Sequence, residues 1–258
     1  MEWLIVLVLA AFLGYLVYEE VVGPIALPTA AVRRKRLCDY ATGGSVWEDV
    51  DSALRRGVRL LEVHVYADER DQPVVALTQQ KEGYEFADPA VSFESVCVAI
   101  ANDAFPSKDP FILSIVPRTE KTVVMDRVAE HMQTTVRRHL IRREGIETAP
   151  IDELANKLIV VSRRTGSKLD GMLNLSWDEE TLRRLTYAQA VHPHDEKELI
   201  AFNRRHISLV VPDASMKVVL ENPDRPKALG CHWNLFDRST VGFVETPAAA
   251  SIPFSRKE

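Results

Sequence analysis

The feature that most constrains this chain is an alternation of two apolar rhythms. Short unbroken apolar runs at 58–65, 73–77, 111–116, 157–161, 207–211 and 229–236 have the length of strands buried on both faces. Between them lie stretches with apolar residues at helical spacing: one opened by Ser45 (Val46, Val50, Ala53, Leu54), then 93–104, 121–144, 195–204, and one from Asp213 to just before Pro223. In 121–144 the stripe is Val124, Val128, Met132, Val136 and Leu140. Strands alternating with amphipathic helices build a parallel sheet. Counting 36–40 and 187–191 as strands gives seven or eight, which favours a TIM-type (β/α) barrel over an open sheet. Gly43-Gly44 fits a turn, and no Gly-rich phosphate loop or internal repeat occurs.

Length agrees with this fold class: 258 residues suit one α/β barrel of about 250 residues plus a short appendage. A formal net charge of -5 gives no support to nucleic acid as a partner. Cys38, Cys97 and Cys231 are odd in number and lack metal-ligand spacing, so they read as reduced core residues.

The appendage is apolar. Residues 3–18 carry no charge, with Trp3 at one end and Tyr15 and Tyr18 near the other, where membrane interfaces place aromatic rings. Sixteen residues fall short of the ~20 that span a bilayer, and tilt or counting residues 1–22 makes up the difference. A cleaved signal peptide is the rival reading, but the only early charged side chain is Glu2. The cluster Arg33-Arg34-Lys35-Arg36 follows, and the positive-inside tendency places the main domain on the cytoplasmic side. That cluster either touches anionic head groups or is a solvated linker. The expected organisation is a transmembrane anchor at 1–22, a basic linker at 23–36 and a barrel at 37–258.

Three segments carry a family resemblance. Residues 53–66 (ALRRGVRLLEVHVY), followed by Gln72-Pro73-Val74-Val75, resemble the second and third strands of phosphatidylinositol-specific phospholipase C, "ALxxGxRxxEhDxW" and "xPVhxH". Residues 110–115 (PFILSI) are similar to its "PhILSLE" strand, and 230–236 (GCHWNLF) to its late "GCxxxxhNF" strand, whose last two positions fall here on Asp237 and Arg238. The order matches, over roughly 37–240. The first two segments also resemble the glycerophosphodiester phosphodiesterases, which share this barrel. The resemblance implies a phospholipase C-like TIM-type (β/α) barrel, here preceded by an N-terminal transmembrane helix.

It also implies two proton-transfer histidines, and, in the eukaryotic type, Ca²⁺ on hard oxygen ligands. The first histidine belongs in the stretch 37–42 and the second beside Leu77, yet neither stretch contains one. Of the implied metal carboxylates Glu62 is present, while His64 and Val116 stand where the others belong; one hard ligand is too few for Ca²⁺. The family's phosphate-side lysines fall on Val161 and Arg163, and its late arginine near Met216 or Lys217.

Glu62 and His64, two apart on one strand, share a face and are the candidate catalytic pair; the plainer reading is an inert hydrogen-bonded pair in the barrel mouth. Arg163 and Lys217 are the candidate phosphate contacts. His192 and His194 read as a surface loop without a third ligand, His131 and His139 as the solvated flank of the long helix, and strand alternation buries one of His232 and Trp233. The expectation is a membrane-anchored pseudoenzyme, without cofactor, serving a structural, interaction or lipid head-group-binding role. The alternative is an active phosphoric diester hydrolase acting on phosphoinositides or glycerophosphodiesters, with Ca²⁺ if the ancestral activity persists.

Overall fold

The computed structural model describes residues 35–46, 50–76, 90–213, 222–237 and 240–246. Its strands are β1 (Tyr40–Val46), β2 (Leu60–Ala67), β3 (Pro73–Val75), β4 (Val91–Ser92), β5 (Phe111–Pro117), β6 (Leu158–Ser162), β7 (Leu175–Ser176), β8 (Leu182–Thr186), β9 (Ile207–Val211), β10 (Trp233–Asn234) and β11 (Phe243–Glu245). Its helices are α1 (Val50–Arg55), α2 (Phe93–Asp103), α3 (Thr122–Thr135), α4 (Tyr187–Val191), α5 (Glu196–Asn203) and α6 (Asp224–Ala228).

Eight strands curl in the order β7-β6-β5-β2-β1-β10-β9-β8, and every pair along this path is parallel. The two ends, β7 and β8, do not pair, so the barrel is nearly closed and has a seam. A small antiparallel flap, β3 with β4, hangs from β2, and β11 runs antiparallel along β1.

Side-chain alternation sorts each strand between two cores. On β2, Leu61, Val63 and Val65 face outward and pack with Leu113 and Ile115 of β5 against Val96, Cys97 and Ile100 of α2 and Val124, Val128 and Met132 of α3. Leu60 faces inward, in one cluster with Ile112, Ile159, Leu182, Ile207, Leu209 and Trp233. Leu37, Ile146, Ile151 and Leu154, from short 3-10 turns, join that inner cluster. Glu62 and His64 share the inward face with Leu60.

Arg59 sets the start of β2. It is fully buried, donating from Nε to the Gly57 carbonyl at 3.0 Å and from Nη1 to the carbonyl of Ala104, the C-cap of α2. A cation at a helix C-terminus is favourably placed, so the buried charge anchors α2 to the barrel.

Several expectations need correction. Among the described residues no helix is long and apolar enough to cross a membrane. The single-pass N-terminal anchor, and the cytoplasmic placement drawn from it, are therefore not supported: the apolar run was already short of a bilayer's ~20 residues, and 1–22 itself lies outside the described residues. Gly43 and Gly44 are not a turn but lie within β1, where neighbouring backbone and Leu60 approach too closely for a side chain. The segment 187–191 is a helix, because Thr186 and Gln189 form a reciprocal capping box, Thr186 N–H donating to the Gln189 side chain at 2.8 Å. The long helix stops at Thr135, where Thr134, Thr135 and Val136 stiffen the backbone and the Thr134 hydroxyl bonds back to Glu130. His139 lies beyond that helix, buried and stacked on Phe105 at 3.8 Å, rather than on a solvated flank.

Candidate functional site

Among the described residues, the inward face of β2 brings together two candidates of the sequence analysis, Glu62 and His64. Glu62 is buried, with 2 % of its side chain exposed, while His64, two residues further along, is 15 % exposed. In register, Glu62 lies beside Ser114 of β5 and His64 beside Val116. The Ser114 hydroxyl donates to Glu62 Oε2 at 3.0 Å, and His64 Nε2 lies 3.4 Å from Oε1.

The decisive partner of Glu62 was absent from the sequence reading. Arg184 of β8 donates from Nη2 to Glu62 Oε1 at 2.8 Å. β2 and β8 are four places apart in the strand order, so the bond crosses the lumen. The Arg184 guanidinium also sits 5.4 Å from the centroid of the Trp177 ring, and its Nε is buried without a partner among the described residues. Leu182-Arg183-Arg184-Leu185 has neither an apolar run nor a two-residue alternation, so the strand itself was not foreseen and its inward arginine could not be.

The electrostatics follow from this packing. Burial pushes the Glu62 carboxyl up, but hydrogen bonding from His64, the Arg184 charge and the Ser114 hydroxyl outweigh it, and the net shift is down. Glu62 is therefore an ionised carboxylate with both oxygens engaged.

The other candidates lie elsewhere. Arg163 follows β6 directly and pairs with Glu120 at 2.8 Å, with no hydrogen bond to the Glu62 cluster among the described residues. Lys217 lies outside the described residues, as does the position of Leu77. His192 and His194 are exposed. His232 and Trp233 are both fully buried, contrary to the expected alternation. His232 accepts from Ser208 N–H at Nδ1 (3.2 Å) and donates from Nε2 to the Cys38 carbonyl (2.7 Å), and burial lowers its pKa to about 4. It is a neutral structural group. Lys35 pairs with Glu245 and Arg36 with Asp39, so these two cations of the basic cluster are engaged by the barrel.

The calcium site implied by the resemblance does not fit this geometry. Ca²⁺ takes six to eight oxygen ligands, whereas Glu62 already accepts from Arg184 and Ser114. Among the described residues no three His, Cys, Asp or Glu side chains converge to hold a metal.

With the barrel and its lumen described, the chain can be placed. Residues 37–164 match the family model "Phosphatidylinositol-specific phospholipase C, X domain". The chain is phosphatidylinositol-specific phospholipase C-like. Among solved structures similar to this phospholipase C-like barrel is L. pealei PLC21, with TM-score 0.68 and 15% identity over 85% of this chain and 38% of that one. S. officinalis PLC21 gives TM-score 0.65 and 14% identity over 80% and 34%. The chain thus spans little more than a third of those proteins. The calcium-dependent phosphoinositol-specific phospholipase C of a Gram-negative Pseudomonas species gives TM-score 0.54 and 12% identity over 84% of this chain and 97% of that one. At such identities the likeness concerns the fold. No curated protein has a detectably similar sequence.

Proposed function

We propose that this phospholipase C-like barrel does not cleave phosphodiesters and acts by binding, with a phosphorylated lipid head group as the ligand class. One observation carries the reading: the lumen's buried carboxylate is consumed by Arg184 and Ser114 instead of being free to take a proton or a metal. General acid–base cleavage needs two groups poised to exchange protons with the substrate. Neither 37–42 nor the residues beside Leu77 supply a histidine. The ligand class comes from the relatives, whose names describe phosphoinositide-specific enzymes.

A second reading rests on His64. It is partly exposed with Glu62 behind it at 3.4 Å, an arrangement in which a carboxylate orients an imidazole for acid–base work. One assay separates the two. Purified protein is incubated with phosphatidylinositol and with a glycerophosphodiester, in Ca²⁺, Mg²⁺, Mn²⁺ or EDTA. The binding reading expects no turnover, and flotation with phosphoinositide-containing liposomes but not with phosphatidylcholine alone. Turnover that vanishes in both His64→Ala and Glu62→Gln would establish the enzyme instead.

A further inference from the structure

The barrel has one structural weakness and one electrostatic one, and the same side chain addresses both. The weakness is the seam: among the described residues β8 pairs with β9 on one side and has no strand on the other. The electrostatic problem is Glu62, a carboxylate 2 % exposed in the lumen, which stays ionised only beside a cation and donors. Arg184 rises from the seam strand, crosses to the opposite wall and donates to Glu62 at 2.8 Å.

We propose that Arg184 is the resident cation of this barrel, standing where a divalent ion would otherwise be recruited to Glu62 and tying the free-edge strand β8 to β2. Three features support the assignment. A guanidinium keeps its charge at every pH at which proteins fold, so it balances Glu62 as permanently as a bound metal. Its position is held from a second direction by the Trp177 ring. Its Nε is left buried without a partner among the described residues, so the group is placed to satisfy Glu62 rather than its own donors. A dication approaching Glu62 meets a positive charge already at hydrogen-bond distance and two oxygens already accepting. The inference rests on the non-catalytic reading for its interest but not for its test.

The test uses the full chain, with thermal unfolding and Trp-sensitised Tb³⁺ emission as readouts. For the unaltered protein, millimolar Ca²⁺, Mg²⁺ or Mn²⁺ is expected to leave Tm unmoved, and Tb³⁺ to give no saturable signal. Arg184→Gln strands the buried carboxylate, so Ca²⁺ should now raise Tm, and Glu62→Gln in that background should abolish the rise. Amide exchange in β8 should quicken in Arg184→Gln relative to β5. Where Arg184→Gln does not fold, Arg184→Lys is measured for exchange, and faster β8 exchange is expected because an ammonium lacks the guanidinium's reach and fork. The proposal is overturned if the unaltered protein shows a Ca²⁺-dependent Tm rise that Glu62→Gln removes, if Arg184→Gln stays indifferent to Ca²⁺, or if β8 exchange does not change. Hydrolysis of phosphatidylinositol without divalent ions would sink the non-catalytic reading and leave this inference standing. Calcium binding at Glu62 without hydrolysis would do the reverse.

Discussion

Glu62 and Arg184 stand on opposite walls of the barrel and meet in its lumen, Nη2 to Oε1 at 2.8 Å. Breaking a buried pair strands a charge, which costs about 3–5 kcal/mol. Glu62→Gln and Arg184→Met should each destabilise on this scale, less for Glu62→Gln because the charge it strands, Arg184, has 26 % of its side chain in solvent whereas Glu62 has 2 %. The double variant should lose at least ~1 kcal/mol less than the sum. The Glu62 carboxyl is shifted down, so its contribution is full above the ordinary value and fades as pH falls through the lowered one. Arg184→Met removes one of the influences that hold the carboxyl down, so the Glu62 carboxyl rises relative to the unaltered protein, and the deficit should be greatest at pH 7–8 and shrink toward pH 4. Urea denaturation across that range decides it; a pH-independent deficit would mean that Arg184 acts only by packing.

His232 predicts a second pH dependence, in the same direction as that of Glu62. Its pKa falls from 6.5 to about 4 on folding, chiefly through burial. The folded state therefore binds fewer protons than the unfolded one between those values. Stability from this group is complete above pH 6.5 and declines as pH drops toward 4, by up to about 1.4 kcal/mol per unit. His232→Gln should flatten that slope in equilibrium unfolding at pH 7, 6 and 5.

Gly43 predicts a steric result. A Cβ there would lie 2.2 Å from the Asp237 carbonyl oxygen and 2.7 Å from that of Thr240, both backbone atoms. Gly43→Ala should cost about 1–3 kcal/mol or more. Gly171→Ala, which meets nothing within 4 Å, should change stability by no more than about 0.5 kcal/mol. Equal melting temperatures for the two variants would refute the close approach.

The three cysteines are free and buried, and burial pushes the Cys38 thiol up to about 11 and those of Cys97 and Cys231 to about 12. The thiolate is the nucleophile, so a disulfide reagent at pH 8 should modify the native protein at least ~100-fold more slowly than the unfolded chain. A fast-reacting thiol in the native state would show that one of these sites opens to solvent.

What could be read in advance was decided by how strongly local sequence speaks. The runs of β2, β5, β6 and β9 are buried on both faces and nearly pure in apolar residues, and each was foreseen within two residues at either end. β1 was hidden because its middle is Thr42-Gly43-Gly44, where crowding by neighbouring chain demands small residues that otherwise signal turns. β8 was hidden because its side chains serve two different environments: Arg183 pairs outward with Glu198 over Phe202, and Arg184 inward with Glu62. Within the site, Glu62 and His64 were legible from spacing on one strand, since strand alternation is local. Arg184 was not, because its partner is 122 positions away and only the curl of the sheet brings them together.

The unpaired ends at β7 and β8 give the molecule a further property. A cylinder sealed all round by backbone ladders widens only by tearing one of them. A split ring widens by flexing, and among the described residues the Glu62–Arg184 clasp in its bore resists the flexing together with the inner cluster that Leu175 of β7 and Leu182 of β8 share. Such a ring has its compliance concentrated at one place on its circumference, the place where Trp177 and Arg184 face each other across the gap.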